Sequence, residues 1–299
     1  MSGAGARADS MRVAPRRFSD GRVRLFRTVE RLAALAGGRR FYRRAFLAPG
    51  RFRVRRERIE HPALPAALDG YRVAHLSDLH AGSFLGTGDL RHVVDAVNRA
   101  EPHLVAQTGD LITRDWREAL TVLDDLARLR ARDGVLAVFG NHDYRGRQEQ
   151  RIADAYAARG IRFLRNACVR LDSGLCVVGL EDLEEGRVVD LAAARADVRP
   201  GDVELVLCHN PLGARGLARE GCLAVLSGHT HGNQMDLPLL RRLGPDHPGE
   251  RVEHGPTTLV VNHGLGVVGF PLRVGAPAEV VELELRVARA ACGEGAHAG

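Results

Sequence analysis

The chain has 299 residues, 45% of them hydrophobic and 27% charged, which is long and apolar enough for a sizeable buried core and excludes a disordered polyelectrolyte. Its formal net charge of +6 belongs to one end, since residues 1–60 hold 17 Arg against five acids and the remainder is net acidic. Five cysteines without C-x-x-C spacing argue against a disulfide framework or a structural zinc site and fit a reducing compartment; no apolar run reaches membrane-spanning length, and the Arg-rich start lacks the apolar h-region of a secretory signal.

Residues 1–20 are small, polar and charged and are expected to be mobile. From Arg22 to Leu35 the apolar positions Leu25, Phe26, Val29, Leu32, Ala33 and Leu35 roughly follow a helical period, and Gly37-Gly38 should end the helix. A basic amphipathic helix of this kind either lies in a membrane interface or packs on the domain that follows. The basic end suits an anionic lipid surface, an acidic partner or nucleic acid, and equally a solvated arm in a chain whose basic residues are all Arg. Without periodic aromatics or a reading motif, nucleic acid is the weaker choice. Nothing indicates a particular protein partner, and a cytoplasmic location, peripheral at the inner face of the membrane if the helix binds lipid, is expected. The chain therefore divides into a basic extension over 1–50, a catalytic-type domain over 51–288 and a flexible tail over 289–299.

From Tyr71 onward short apolar runs alternate with amphipathic stretches, the pattern of an α/β sheet with helices on its faces. Strands are predicted at Tyr71–Ser77, Leu104–Thr108, Val135–Phe139, Leu175–Leu180, Glu204–Cys208, Leu223–Ser227, Thr257–Asn262 and Glu279–Leu285. Helices are predicted near Leu90–Ala100 and Trp116–Arg130, and Asp172-Ser173-Gly174 reads as a hairpin turn.

Five polar clusters each follow one of these strands: Asp78-Leu79-His80, Gly109-Asp110, Gly140-Asn141-His142-Asp143, His209, and Gly228-His229-Thr230-His231. Open α/β sheets bind ligands beyond the carboxyl ends of their strands, so distant segments can converge there. Any one Asp or His has an ordinary reading as a cap or a satisfied polar residue; the ordered set does not. Imidazole, amide and carboxylate donors without thiolate suit manganese, iron, zinc or cobalt better than magnesium or calcium. Seven candidate donors (Asp78, His80, Asp110, Asn141, His209, His229 and His231) exceed one tetrahedral ion and fit two ions sharing a carboxylate. Gly109, Gly140 and Gly228 precede these residues, where unusual backbone angles and close approach favour a missing Cβ.

The series His75-Leu-Ser-Asp-Leu-His80, Thr108-Gly-Asp-Leu111, Gly140-Asn-His-Asp-Tyr144, Cys208-His-Asn-Pro211 and Ser227-Gly-His-Thr-His-Gly232 resembles the calcineurin-like metallophosphoesterases, in their bacterial YkuE and YaeI type branch. The likeness runs from about Arg51 to Leu285. It implies an α/β fold, a four-layer α/β/β/α sandwich carrying an Arg-rich N-terminal extension, with two divalent ions at one end. One ion would be held by Asp78, His80 and His231, the other by Asn141, His209 and His229, with Asp110 bridging and His142 facing the leaving group as general acid. The implied reaction is hydrolysis of a phosphodiester or pyrophosphate of a lipid-linked or nucleotide substrate by a hydroxide shared between the ions. The alternatives are a phosphomonoesterase or protein phosphatase, a catalytically silent scaffold of the same fold, and a nucleic-acid binding module.

Three positions depart from the family pattern. Where many relatives carry an Asp that orients the catalytic His, this chain reads Ile112-Thr113, leaving Asp143 and Asp115 as candidates to stand in. Asn233 replaces a Gly, and His263 stands where relatives often have Arg.

Overall fold

Short β-branched runs that are apolar on both faces form central parallel strands, because such strands are covered on both sides. A computed structural model describes residues 11–15, 19–237 and 246–288; the expected mobile start and flexible tail fall largely or wholly outside these residues. The elements, in chain order, are α1 (Asp20–Leu35), α2 (Gly38–Tyr42), β1 (Arg53–His61), β2 (Tyr71–Leu76), α3 (Arg91–Arg99), β3 (Leu104–Thr108), α4 (Trp116–Leu126), β4 (Val135–Val138), α5 (Glu149–Ala157) and β5 (Ile161–Phe163). They continue with β6 (Ala167–Arg170), β7 (Leu175–Gly179), α6 (Leu191–Ala194), β8 (Val203–Leu207), α7 (Ala214–Leu217), β9 (Cys222–Ser227), β10 (Arg251–His254), β11 (Thr257–Val261) and β12 (Glu279–Val287).

Two six-stranded sheets result, in the orders β1-β12-β2-β3-β4-β5 and β10-β11-β9-β8-β7-β6. Strands β2 to β5 run parallel, as do β7, β8, β9 and β11. The 172–174 turn joins β6 and β7 as an antiparallel hairpin. Alternation along each strand divides the core: Val73, Leu104, Ala106, Leu136 and Val138 meet Leu175, Val177, Leu205, Leu207 and Leu226 between the sheets. On the outer face of the first sheet, Leu76 and Val105 pack under Val93, Val94 and Val97 of α3 and Val122 of α4. The second sheet is covered by Leu183, Val189, Ala194 and Leu217. This is the expected layered α/β arrangement, helices outside two facing sheets.

All eight predicted strands are present, with no end shifted by more than two residues. The helix expected over 116–130 stops at Leu126, where Ala127 N–H bonds Leu123 O and the chain turns toward β4. Strands β1, β5, β6 and β10 and helices α2, α5, α6 and α7 were not predicted. Among the described residues, Cys168, Cys176, Cys208 and Cys222 are free; Cys292 lies outside them.

The packed body begins before Arg51. Tyr42 and Leu47 are fully buried in the outer core of the first sheet, and the Tyr42 hydroxyl donates to Leu265 O at 2.7 Å. Because the strands within each sheet's centre are parallel, their carboxyl ends lie together, and both sheets turn those ends toward the same loops.

Candidate metal centre

The loops leaving β2 and β3, and those leaving β8 and β9, are joined by main-chain bonds that prolong the ladders. Asp78 N–H donates to Gly109 O at 3.0 Å, His80 N–H to Asp110 O at 3.0 Å and Gly228 N–H to His209 O at 3.0 Å. The two sheets are stitched by Asn262 Nδ2, which donates to His75 O at 2.7 Å, and by His229 N–H, which donates to Asp78 Oδ2 at 3.0 Å. Asp78, His80, Asp110, His229 and His231 all have left-handed backbone, with φ between 44° and 69°. Non-glycine residues rarely adopt it, and a cluster of such outliers marks a site whose surroundings enforce the geometry.

Two glycines make this approach possible for different reasons. Gly109 has φ of 91°, which a side chain would strain. Gly228 has ordinary angles, but a Cβ there would sit 1.9 Å from Ser77 Oγ and 2.1 Å from Asp78 Oδ2; close approach, not an unusual angle, requires glycine.

All seven expected donors come together, in two groups. In the first, His80 Nε2 lies 2.8 Å from His231 Nε2, and His231 Nε2 is 3.4 Å from Asp78 Oδ1. In the second, Asn141 Oδ1 lies 3.2 Å from both His209 Nε2 and His229 Nδ1, and these two nitrogens are 3.3 Å apart. Asp110 Oδ2 stands between the groups, 3.3 Å from His80 Nε2 and 3.5 Å from His209 Nε2, while its Oδ1 accepts the His142 N–H at 2.8 Å. Lone pairs turned toward one another repel unless a cation or protons lie between them. Nitrogen and oxygen donors without thiolate, converging in two sets around one carboxylate, fit two divalent ions of the zinc, manganese or iron type.

Partners behind the donors orient them, as is general for metal-binding histidines. His209 Nδ1 bonds Thr108 O at 2.6 Å, leaving Nε2 for the cluster. His229 Nε2 is held by Glu184 Oε1 at 3.1 Å, leaving Nδ1. Glu184 was not anticipated, although it sits in the loop after β7 and so obeys the strand-exit rule that exposed the other clusters. Replacing it with Ala is expected to lower metal affinity about 10- to 100-fold, measured by equilibrium dialysis; wild-type affinity in Glu184→Ala would deny it this role.

His142 projects beside the first group, its ring 4.6 Å from that of His80. Neither Asp143 nor Asp115 stands next to its ring. Asp143 is buried and accepts the N–H groups of Leu111 and Gly140 at 2.8 and 2.9 Å, holding the loops after β3 and β4 together. Asp115 caps α4 through Arg117 N–H at 2.9 Å. The contact comes instead from the main chain of Thr113, whose carbonyl lies 3.1 Å from His142 Nδ1, while its hydroxyl donates to His80 O at 3.0 Å. Arg145, also unforeseen, donates to Thr113 O and reaches His142 Nε2 at 3.1 Å. Near the third departure, His263 packs over Gly232, and Arg273 behind it donates to His263 O at 2.9 Å.

Burial pushes the Asp78 carboxyl up to about 6. Burial opposes charge on His209 too, but the Asp110 and Asp78 carboxylates outweigh it and hold that imidazolium above the ordinary range. His142 moves the other way, burial first and then His80 and Arg145 holding it well below the ordinary range, against the pull of Asp110. Metals bind deprotonated donors. Loading should therefore displace the His209 proton already at neutral pH and the Asp78 proton in acid, so affinity should fall as the pH drops through neutrality and more steeply below about 6. Calorimetric titration at acid and neutral pH, in buffers of differing ionisation enthalpy, measures both; affinity independent of pH with no proton release contradicts the assignment.

Facing α/β sheets that gather imidazole, carboxylate and amide donors at their strand exits define the class of metal-dependent phosphoester hydrolases. The chain belongs to the calcineurin-like phosphoesterases, whose family model matches residues 71–233. It is 28% identical to the uncharacterized metallophosphoesterase YkuE of Bacillus subtilis, over 85% of this chain and 92% of that protein. It is 30% identical to an uncharacterized metallophosphoesterase of Helicobacter pylori over 72% of this chain, and 29% identical to a bovine transmembrane protein with metallophosphoesterase domain over 75%. Of those two it spans only 59% and 55% of their length.

Proposed function

We propose that the chain hydrolyses a phosphodiester or pyrophosphate bond, of a lipid-linked or nucleotide substrate, at a dinuclear metal centre. The observation that carries this reading is the position of Asp110 Oδ2, within 3.5 Å of a donor from each of two groups. Asp78, His80 and His231 would hold one cation and Asn141, His209 and His229 the other, with Asp110 shared. Two divalent cations supply, when bound, the positive charge that neutralises phosphate oxygens and acidifies water.

The chain's own groups complete the chemistry. Thr113 O accepts the Nδ1 proton of His142 and so turns Nε2 toward the leaving oxygen. In the resting site the ring is neutral; the negative charge of a bound phosphate opposes that depression and favours a proton on Nε2, which then passes to the leaving group. Arg145, whose guanidinium reaches Nε2 at 3.1 Å, would pair with a phosphate oxygen, the kind of contact expected of the Arg that relatives often carry where this chain has His263. The reading places the enzyme in the cytoplasm or peripherally at the inner membrane face, with an anionic lipid surface as partner of residues 1–50. No helix among the described residues is long and apolar enough to cross a membrane.

The test is metal analysis of protein purified without chelator, followed by assay with each candidate ion on bis-p-nitrophenyl phosphate and p-nitrophenyl phosphate. Two equivalents of metal with faster cleavage of the diester are expected. Preference for the monoester would move the reading to a phosphomonoesterase, and no turnover with any ion would leave a silent scaffold.

A further inference from the structure

Helix α1 is mounted with its leucines outward. Leu25, Leu32 and Leu35, spaced i, i+7 and i+10 and so on one side of the helix, are 64%, 61% and 84% exposed, and Phe41 just beyond is 50% exposed. The inward side is mixed: Val23 and Val29 are half-buried, Ala33 and Ala34 pack on the core, and Glu30, 2% exposed, accepts hydrogen bonds from Ser83 at 2.6 Å and from Arg114 Nη1 at 2.7 Å. A helix packed only to complete a domain turns its leucines inward. Here the buried Glu30 and its partners lock the opposite orientation.

Around the leucines lie the exposed Arg24, Arg27, Arg31, Arg40 and Arg44, while Asp20 is the sole exposed acid between residues 19 and 47. The helix also borders the metal centre. Arg114, which Glu30 holds, follows the Thr113 that orients His142, and Phe26 meets Phe270 edge to face with ring centroids 6.3 Å apart. The Phe270 loop, with exposed Val268 and Leu272, is tied to Gln234 just past His231 through Val268 N–H and Phe270 O.

We infer that the outward face of α1 docks on an anionic lipid bilayer, its leucines among the acyl chains and its arginines at the headgroups, so that the mouth of the metal centre meets substrate at headgroup level. Apolar side chains ringed by cations match such a surface. A second copy of the chain does not, because a two-fold contact through this face would set arginine against arginine. The inference extends the lipid-linked reading of the substrate, but binding is measured without turnover, so either can fail alone.

The test is flotation of the full chain with vesicles of phosphatidylcholine containing roughly a third phosphatidylglycerol, or of phosphatidylcholine alone, at low and high salt. Recovery is expected with the anionic vesicles, falling with salt, and partitioning should drop roughly 100-fold in Leu32→Glu/Leu35→Glu. Val188→Glu, at an exposed apolar residue elsewhere, should bind like wild type, and all three proteins should cleave soluble bis-p-nitrophenyl phosphate within about twofold of one another. Equal recovery of the leucine variant and wild type, or equal binding to neutral vesicles, overturns the inference. So does a wild-type dimer in sedimentation velocity that the leucine variant dissolves while neither protein floats, which would assign the face to a second copy.

Discussion

Asp110→Asn is expected to hold fewer than two metal equivalents per chain and to lose roughly 10³ in turnover, the scale of several kcal/mol of charge stabilisation at a two-metal site. The amide oxygen can still accept the His142 N–H that Asp110 Oδ1 now takes at 2.8 Å, so the loop after β4 stays in place and the charge is what changes. That charge serves both donor groups, since Asp110 Oδ2 is within 3.5 Å of His80 and of His209. It also balances the imidazolium of His209 in the metal-free protein. Metal content by plasma spectrometry, rates on bis-p-nitrophenyl phosphate and a circular dichroism control distinguish lost metal from lost fold. Two retained equivalents with undiminished turnover would show that Asp110 is not the shared ligand.

His142→Ala should cost about 10²–10⁴ in rate for an alkyl leaving group, the range of a positioned general acid, and much less for p-nitrophenolate, which departs without a proton. Thr113→Ala should stay within about twofold of wild type on both. The Asp usual at this place was expected to matter because a side chain would orient the imidazole; here the main-chain carbonyl of residue 113 does so, 3.1 Å from Nδ1, and a change of side chain leaves it intact. Comparing the two variants on a methyl and a nitrophenyl ester measures the difference. Equal loss from His142→Ala on both esters would remove proton donation, and a Thr113→Ala defect matching that of His142→Ala would return the orienting role to the side chain.

The strands that carry the donors were legible because each is almost wholly buried and centres on a short apolar run that ends at polar residues. Strands at the sheet edges were not. In β1 the buried positions include Arg55, which pairs with Glu279 of β12 at 3.3 Å, so the apolar alternation that reveals a strand is replaced by charge. Charged or very short edges of this sort also discourage pairing with other chains, and β5 and β10 hide for the same reasons. Glu184 and Arg145 went unnoticed because one acid in Glu181-Asp182-Leu183-Glu184 and one Arg among 43 carry no mark of their own. Helix α1 was visible as an amphipathic period, yet its orientation was not, since a period states that one face is apolar and nothing about which way it turns.

What could be read along the chain was the inventory: an alternating α/β pattern, seven donors at strand exits and their order, all set by local burial and turn chemistry. Their partition into two groups was implied by the family resemblance and by no local feature of the chain, while the choice of ring nitrogen in His209 and His229 and the carbonyl that holds His142 came only with the folded form. Asp78 and His231 are separated by 153 positions yet meet at 3.4 Å, and a distance of that kind is set by how two sheets stack and where their parallel strands end, which no local stretch of residues encodes.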